Sequence, residues 1–139
     1  MSLRDLHLLG SPVLRQRSAI VETVDDDVRA LIADLFETMR FCKGVGLAAN
    51  QVGVARRVAV VETEPGQPHA LVNPVVVEAQ GFEKAEEGCL SIPDIYGDIE
   101  RAARVVVEAA DESGVRRRIE GVGLLGRAMQ HEIDHIDGI

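Results

Sequence analysis

Near its end the chain carries Gln130-His131-Glu132-Ile133-Asp134-His135-Ile136-Asp137-Gly138, and no other stretch restricts its fold and chemistry as much. On a helix, His131 and His135 lie one turn apart on the same face, roughly 6 Å along the axis at about 1.5 Å per residue, so both imidazoles can reach one metal ion. Glu132 projects about 100° around the helix from His131, where it can act as a general base without being a ligand. The H-E-x-x-H spacing also occurs in ordinary surface histidine pairs, so on these residues alone metal binding and a plain solvated helix both stand. Metal-activated hydrolysis usually takes three protein ligands. A continuation as H-x-x-G-x-x-H would put the next histidine beyond Ile139, so the third donor must lie upstream.

That helix needs a support. The clearest second helix runs from about Asp25 to Cys42, with Val28, Leu31, Ile32, Leu35, Phe36 and Met39 at three-and-four spacing, so one stripe faces a core. Asp25-Asp26-Asp27 supplies a cap and negative charge at its positive end, Gly44 and Gly46 end it, and Cys42 reads as a small packed hydrophobe. Residues 3–24, which carry Pro12 and scattered apolar residues, read as turns with a short helical piece somewhere along them. Arg57–Thr63 and Ala70–Glu78 are β-branched runs joined through Pro65-Gly66-Gln67-Pro68, and Ala103–Asp111 and Val115–Glu120 form a second pair around Glu112-Ser113-Gly114. The terminal helix begins near Gly123 or Leu124 and buries Leu125 and Met129. The class expected is α+β: antiparallel sheets packed around a C-terminal metal-binding helix, with one earlier amphipathic helix.

A chain of 139 residues, 46% hydrophobic and with no break in composition, is expected to form a single domain over residues 1–139. Its net charge of −8 disfavours nucleic acid as a direct partner, and Arg116-Arg117-Arg118 reads as the solvated face of an edge strand. No apolar run approaches the roughly 18 residues of a membrane span, and the N-terminus lacks a signal pattern, so a cytoplasmic protein without a membrane partner is expected.

Two further stretches can carry chemistry. Gly44-Val45-Gly46-Leu47-Ala48-Ala49-Asn50-Gln51-Val52-Gly53 lets the backbone approach a neighbour closely and offers only Asn50 and Gln51 as hydrogen-bonding side chains. It has neither phosphate-loop spacing, and a tight turn and a site remain equally open. In Glu86-Glu87-Gly88-Cys89-Leu90-Ser91-Ile92-Pro93, Cys89 follows a glycine and precedes a strand-like segment, which makes it the best upstream candidate for the third ligand. A thiolate with two neutral imidazoles would leave a fourth position open on a divalent ion. Cys89 as a histidine-activated nucleophile is the competing reading, but it leaves the histidine pair and Glu132 unexplained.

With these stretches in view, the chain resembles the peptide deformylase family, whose motifs G-x-G-L-A-A-x-Q, E-G-C-L-S and Q-H-E-x-D-H-x-x-G stand here at Gly44–Gln51, Glu87–Ser91 and Gln130–Gly138 in the family's order. The resemblance implies one divalent metal held by Cys89, His131 and His135, with Fe2+ expected and Zn2+, Ni2+ or Co2+ as substitutes. It implies Glu132 as general base and acid, and Gln51 and the Leu90 N–H as donors to the oxyanion. The implied activity is hydrolysis of the N-formyl group from the first methionine of nascent polypeptides, releasing formate. A pocket lined by Val45, Gly46, Leu124 and Ala128 would take the methionine side chain. A non-catalytic module binding formylated peptides, and a truncated zincin-type metallopeptidase, are the alternatives. Most members of the family continue past the third motif with a strand and often a helix, whereas this chain stops at Ile139, which puts the ribosome docking such an extension makes in doubt. The second motif is followed by Asp94-Ile95-Tyr96-Gly97-Asp98 without arginine, and Arg101 is the nearest guanidinium for a substrate backbone. The carbonyls ending the terminal helix have no intrahelical partner, so the helix is expected to fray unless the metal fastens it.

Overall fold

The computed structural model describes residues 3–6, 12–15, 18–89 and 92–139, and of residues 13, 15, 86, 88, 89 and 92–98 the backbone alone. Helix α1 spans Asp26–Phe41. Its N-terminus is closed by Asp25, whose carboxylate accepts the Val28 N–H at 2.9 Å, with Asp26 and Asp27 in the first turn. The end differs from the expected glycine stop. Lys43 takes the left-handed conformation (φ 59°), and the Gly44 N–H reaches back to the Met39 carbonyl at 2.9 Å, so a non-glycine residue makes the turn that the final carbonyls require.

Among the described residues seven strands follow: β1 (Gly46–Ala48), β2 (Val58–Val61), β3 (His69–Gln80), β4 (Glu83–Cys89), β5 (Ile92–Arg101), β6 (Arg104–Ala110) and β7 (Arg116–Val122). Five form an antiparallel sheet in the order β1-β2-β3-β6-β7, and β4 and β5 form a separate hairpin. Strand β2 explains the layering. All four of its residues are buried, and side chains alternate between faces, so Val58 and Val60 pack under Val28, Leu31, Leu35 and Met39 of α1 while Ala59 and Val61 face the other way. On that second face they meet Ala128, Met129, Ile133 and Ile136 of helix α2, which spans Gly123–Ile136. The fold is therefore α+β, with one sheet held between two helices. Full burial of each Val, Leu, Ile or Met side chain among these contributes roughly 1.5–3 kcal/mol.

Strand β7 passes directly into α2 because two glycines let their backbones touch. A Cβ on Gly126 would lie 2.6 Å from the Gly121 carbonyl oxygen, and one on Gly121 would lie 2.8 Å from the Gly126 Cα. The far end of α2 does not depend on a metal for fastening, which corrects the expectation of fraying. The Ser18 N–H donates to the Ile136 carbonyl at 2.9 Å, the Asn50 side-chain amide donates to the His135 carbonyl, and Arg57 pairs with Asp137 at 2.9 Å. Asn50 belongs to the short 3-10 turn Ala49–Val52 that follows β1, so this fully buried turn and the N-terminal segment clasp the helix from below.

The hairpin β4–β5 was not legible beyond a strand-like Leu90-Ser91-Ile92, of which Leu90 and Ser91 lie outside the described residues. Its first strand is rich in Glu and Lys, types depleted in strands. Tertiary pairing overrides that preference. Arg127 of α2 donates to the Ile99 carbonyl at 2.8 Å and the Glu83 carbonyl at 2.7 Å, so one helical guanidinium grips both strands.

Candidate metal centre

Helix α2 places His131, Glu132 and His135 on the side that faces β1 and the β4–β5 hairpin, and their candidate ligand atoms all lie within 4.8 Å of one another. The two Nε2 atoms approach to 3.1 Å, with the rings inclined at 61°. Two imidazole nitrogens bound at 2.0–2.1 Å with a tetrahedral angle between them would sit about 3.3 Å apart, so the pair is already arranged to share one ion. Its tautomers support the same reading. His131 Nδ1 lies 3.0 Å from Glu87 Oε1, and an ionised Glu87 can accept but not donate, so Nδ1 carries the proton and Nε2 presents its lone pair.

Glu87 stays ionised for a visible reason. Burial alone pushes its carboxyl up, but Arg101, His131 and Arg127 outweigh that cost and hold it at about 2. Arg101 donates through Nε to Oε2 at 3.2 Å and through Nη2 to Oε1 at 3.1 Å, and Arg127 donates to Oε2 at 2.7 Å. Arg101 also pairs with Asp134 of α2. The guanidinium considered for substrate backbone is thus engaged in holding α2 against β5, which corrects that expectation. Gln130 completes the support, exchanging two hydrogen bonds of 3.0 Å with the Ala102 backbone between β5 and β6.

Of the remaining expected site residues, Glu132 is 4% exposed and its Oε2 lies against Gly46, where an added Cβ would come within 2.6 Å. Gln51 is buried in the 3-10 turn, and its Oε1 accepts the Ala48 N–H at 2.9 Å, which fixes how its amide is oriented. Leu124 and Ala128 share the ridge of α2 that continues to His131 and His135 at spacings of four, three and four; Ala128 is buried and Leu124 exposed. Val45 stands exposed beside Gly46. Strand β4 runs to Cys89, two residues past Glu87; the Cys89 thiol and Leu90 lie outside the described residues. Sequence reasoning missed Glu87, Arg127, Gln130 and Asn50 as site supports. The available signal was Arg127 four residues before His131, a charge on the face of α2 that also carries the ligands.

The donor set and its buried carboxylate can activate water for hydrolysis of an acyl group. No helix among the described residues is long and apolar enough to cross a membrane. Comparison with known proteins gives a consistent answer. The family model for polypeptide deformylase matches residues 3–139. A peptide deformylase of Thermomicrobium roseum is 45% identical, the match covering 100% of this chain and 84% of the relative, and one of Dictyoglomus thermophilum is 43% identical, covering 99% and 89%. Among solved structures, a peptide deformylase from Legionella pneumophila superposes with a TM-score of 0.95 at 41% identity, covering 98% of this chain and 82% of that one. One from Synechococcus elongatus in complex with actinonin gives 0.94 at 43% identity, covering 98% and 75%.

Proposed function

The chain belongs to the polypeptide deformylase family, metal-dependent hydrolases that remove N-formyl groups, and we propose specific roles for its residues in that reaction. The function is deformylation, and neither a non-catalytic binding module nor a truncated peptidase describes it. Residues 1–139 act as one domain. The ligands are Cys89, His131 and His135 and the ion is Fe2+, with Zn2+, Ni2+ or Co2+ able to replace it. When bound, the ion supplies Lewis acidity and lowers the pKa of water from about 15.7 toward 7. The substrates are N-formylmethionyl ends of nascent chains in the cytoplasm, and contacts with the ribosome are not needed for the chemistry.

Glu132 takes the proton of the attacking water as the new C–O bond forms at the formyl carbon. It returns that proton to the nitrogen as the C–N bond breaks, so the amine and formic acid leave, and the acid gives its remaining proton to the amine or solvent to become formate. Its burial supports this role, since a carboxylate shielded from bulk water transfers protons to bound partners without competition from solvent. Gln51 Nε2 and the Leu90 N–H meet the developing oxyanion; removing one such donor typically costs on the order of 3 kcal/mol of barrier. The Ala48 N–H bond to Gln51 Oε1 fixes which end of the amide is presented. Val45, Leu124 and Ala128 border the methionine side chain, and Gly46 contributes backbone alone to that border. The formyl group carries only hydrogen where other acyl groups carry carbon, so a tight site excludes acetyl.

The observation that carries the reading is the 3.1 Å approach of two Nε2 atoms next to a buried carboxylate. Anaerobically purified, iron-loaded protein should release formate from a formyl-methionyl tripeptide. Glu132→Gln should keep its metal and lose at least about 100-fold in rate, the usual share of general acid–base catalysis. A variant that purifies without metal, or keeps more than about a tenth of the rate, would remove Glu132 from that role.

A further inference from the structure

We propose that Gly46 is a positioning residue for deformylation: the space left by its missing side chain sets where the Glu132 carboxylate sits. This rests on the role given to Glu132 above. Gly46 opens β1, pairs with Val61 of β2, and is half-buried. Its backbone makes no demand for glycine, because it is not among the residues with positive φ, and glycine inside a strand is destabilising relative to alanine. What requires glycine is the neighbour. A Cβ at position 46 would lie 2.6 Å from Glu132 Oε2 and 3.1 Å from both its Cδ and Cγ, so the whole end of the side chain rests against the Gly46 backbone.

Both partners are held from behind. Strand β1 is fixed by its ladder to β2, and Glu132 leaves a helix pinned on either side of it by Gln130 and by the Asn50 bond to His135. A methyl group at position 46 therefore pushes the carboxylate and not the backbone. To regain ordinary contact at 3.4 Å, Oε2 must move by about 0.8 Å. A misplacement on the order of 1 Å can cost about 100-fold in rate.

Gly46→Ala should therefore lower kcat about 100-fold while KM stays within about threefold, with metal content and melting midpoint at wild-type values. Glu132→Asp shortens the side chain by one methylene and relieves the contact. The losses from Gly46→Ala and Glu132→Asp should then combine to at least about tenfold less than their product, as expected for residues that touch. Multiplicative losses would overturn the proposal. So would near-wild-type kcat for Gly46→Ala, a loss confined to KM, loss of metal, or misfolding that Glu132→Asp does not restore. A wild-type protein that releases no formate would instead overturn the role given to Glu132, which keeps the two failures distinct.

Discussion

Replacing Glu87 by glutamine tests how much the site depends on one buried anion. The carboxylate is held at about 2 where an ordinary glutamate sits at 4.5, so the fold favours its ionised form by roughly 3 kcal/mol at about 1.4 kcal/mol per tenfold. Screening by water is weak, since the Glu87, Arg127 and Arg101 side chains are only 7, 8 and 12% exposed. Glutamine matches the shape but must turn an N–H toward groups that are themselves donors. Two guanidinium groups then lose their shared counter-ion, and removing one partner of such a pair typically costs about 3–5 kcal/mol. Part of this is offset, because Arg101 keeps Asp134 and Arg127 keeps the Ile99 and Glu83 carbonyls. A net loss of roughly 2–3 kcal/mol corresponds to a fall in melting midpoint on the order of 10 °C for a domain of this size. Metal affinity should fall with it by about 10–100-fold, because His131 Nδ1 loses the anion that orients the ring. Thermal melts and competition with a metal-chelating dye measure the two effects separately. A midpoint within 2 °C or so of wild type, together with metal affinity within about twofold, would refute the reasoning on both counts.

Gly126→Ala should destabilise the fold by about 1–3 kcal/mol in denaturant titrations, because its Cβ meets the Gly121 carbonyl at 2.6 Å; a change under about 0.5 kcal/mol would mean that α2 can lift off β7 at little cost. Asp111→Ala should cost about 1 kcal/mol, since the Asp111 carboxylate accepts the Ser113 and Val115 N–H groups at 2.9 and 3.1 Å in the β6–β7 turn. The neighbouring Arg117 holds the Asp111 carboxyl below its ordinary value. Its contribution is therefore complete above the unfolded value near pH 4 and lost as pH falls through the lower folded value, so wild type and Asp111→Ala should converge in acid. Asn50→Ala removes the donor to the His135 carbonyl, and amide exchange at Asp137 and Ile139 should quicken with metal in place; unchanged protection would show that Ser18 and Arg57 suffice.

The helices and the main sheet were legible because their signals are local and periodic. The stripe of α1, its Asp25 cap, and the β-branched runs of β2 and β3 follow from single-residue chemistry, and the histidine pair needs only helical spacing to converge. What was not legible depends on partners distant in sequence. Glu83–Glu87 looks like a solvated acidic run, and it becomes a strand only because Arg101 and Arg127 arrive from β5 and from α2 to neutralise Glu87 and bind backbone carbonyls. Arg101 misled for the same reason: an arginine near a site reads as a substrate contact until its carboxylate partners are known. Gly46 was expected beside the substrate pocket, and its close approach to Glu132 was not legible because it depends on a partner 86 positions away.

The terminal helix shows how that gap changes the physical account of the site. From sequence, the carbonyls at the end of α2 lacked partners, and a metal was the only fastening on offer. In the fold the carbonyls of His135 and Ile136 are taken by Asn50 and Ser18, and the ring of His131 is held by Glu87, all through protein contacts. The two Nε2 atoms thus lie 3.1 Å apart on a helix whose end and whose first histidine ring are held by protein contacts. A site organised in this way spends little of its binding free energy on ordering the helix, so more of it remains as affinity for the ion. The same anchoring gives the single missing methyl at Gly46 its leverage, because the Glu132 carboxylate on that helix lies directly against strand β1.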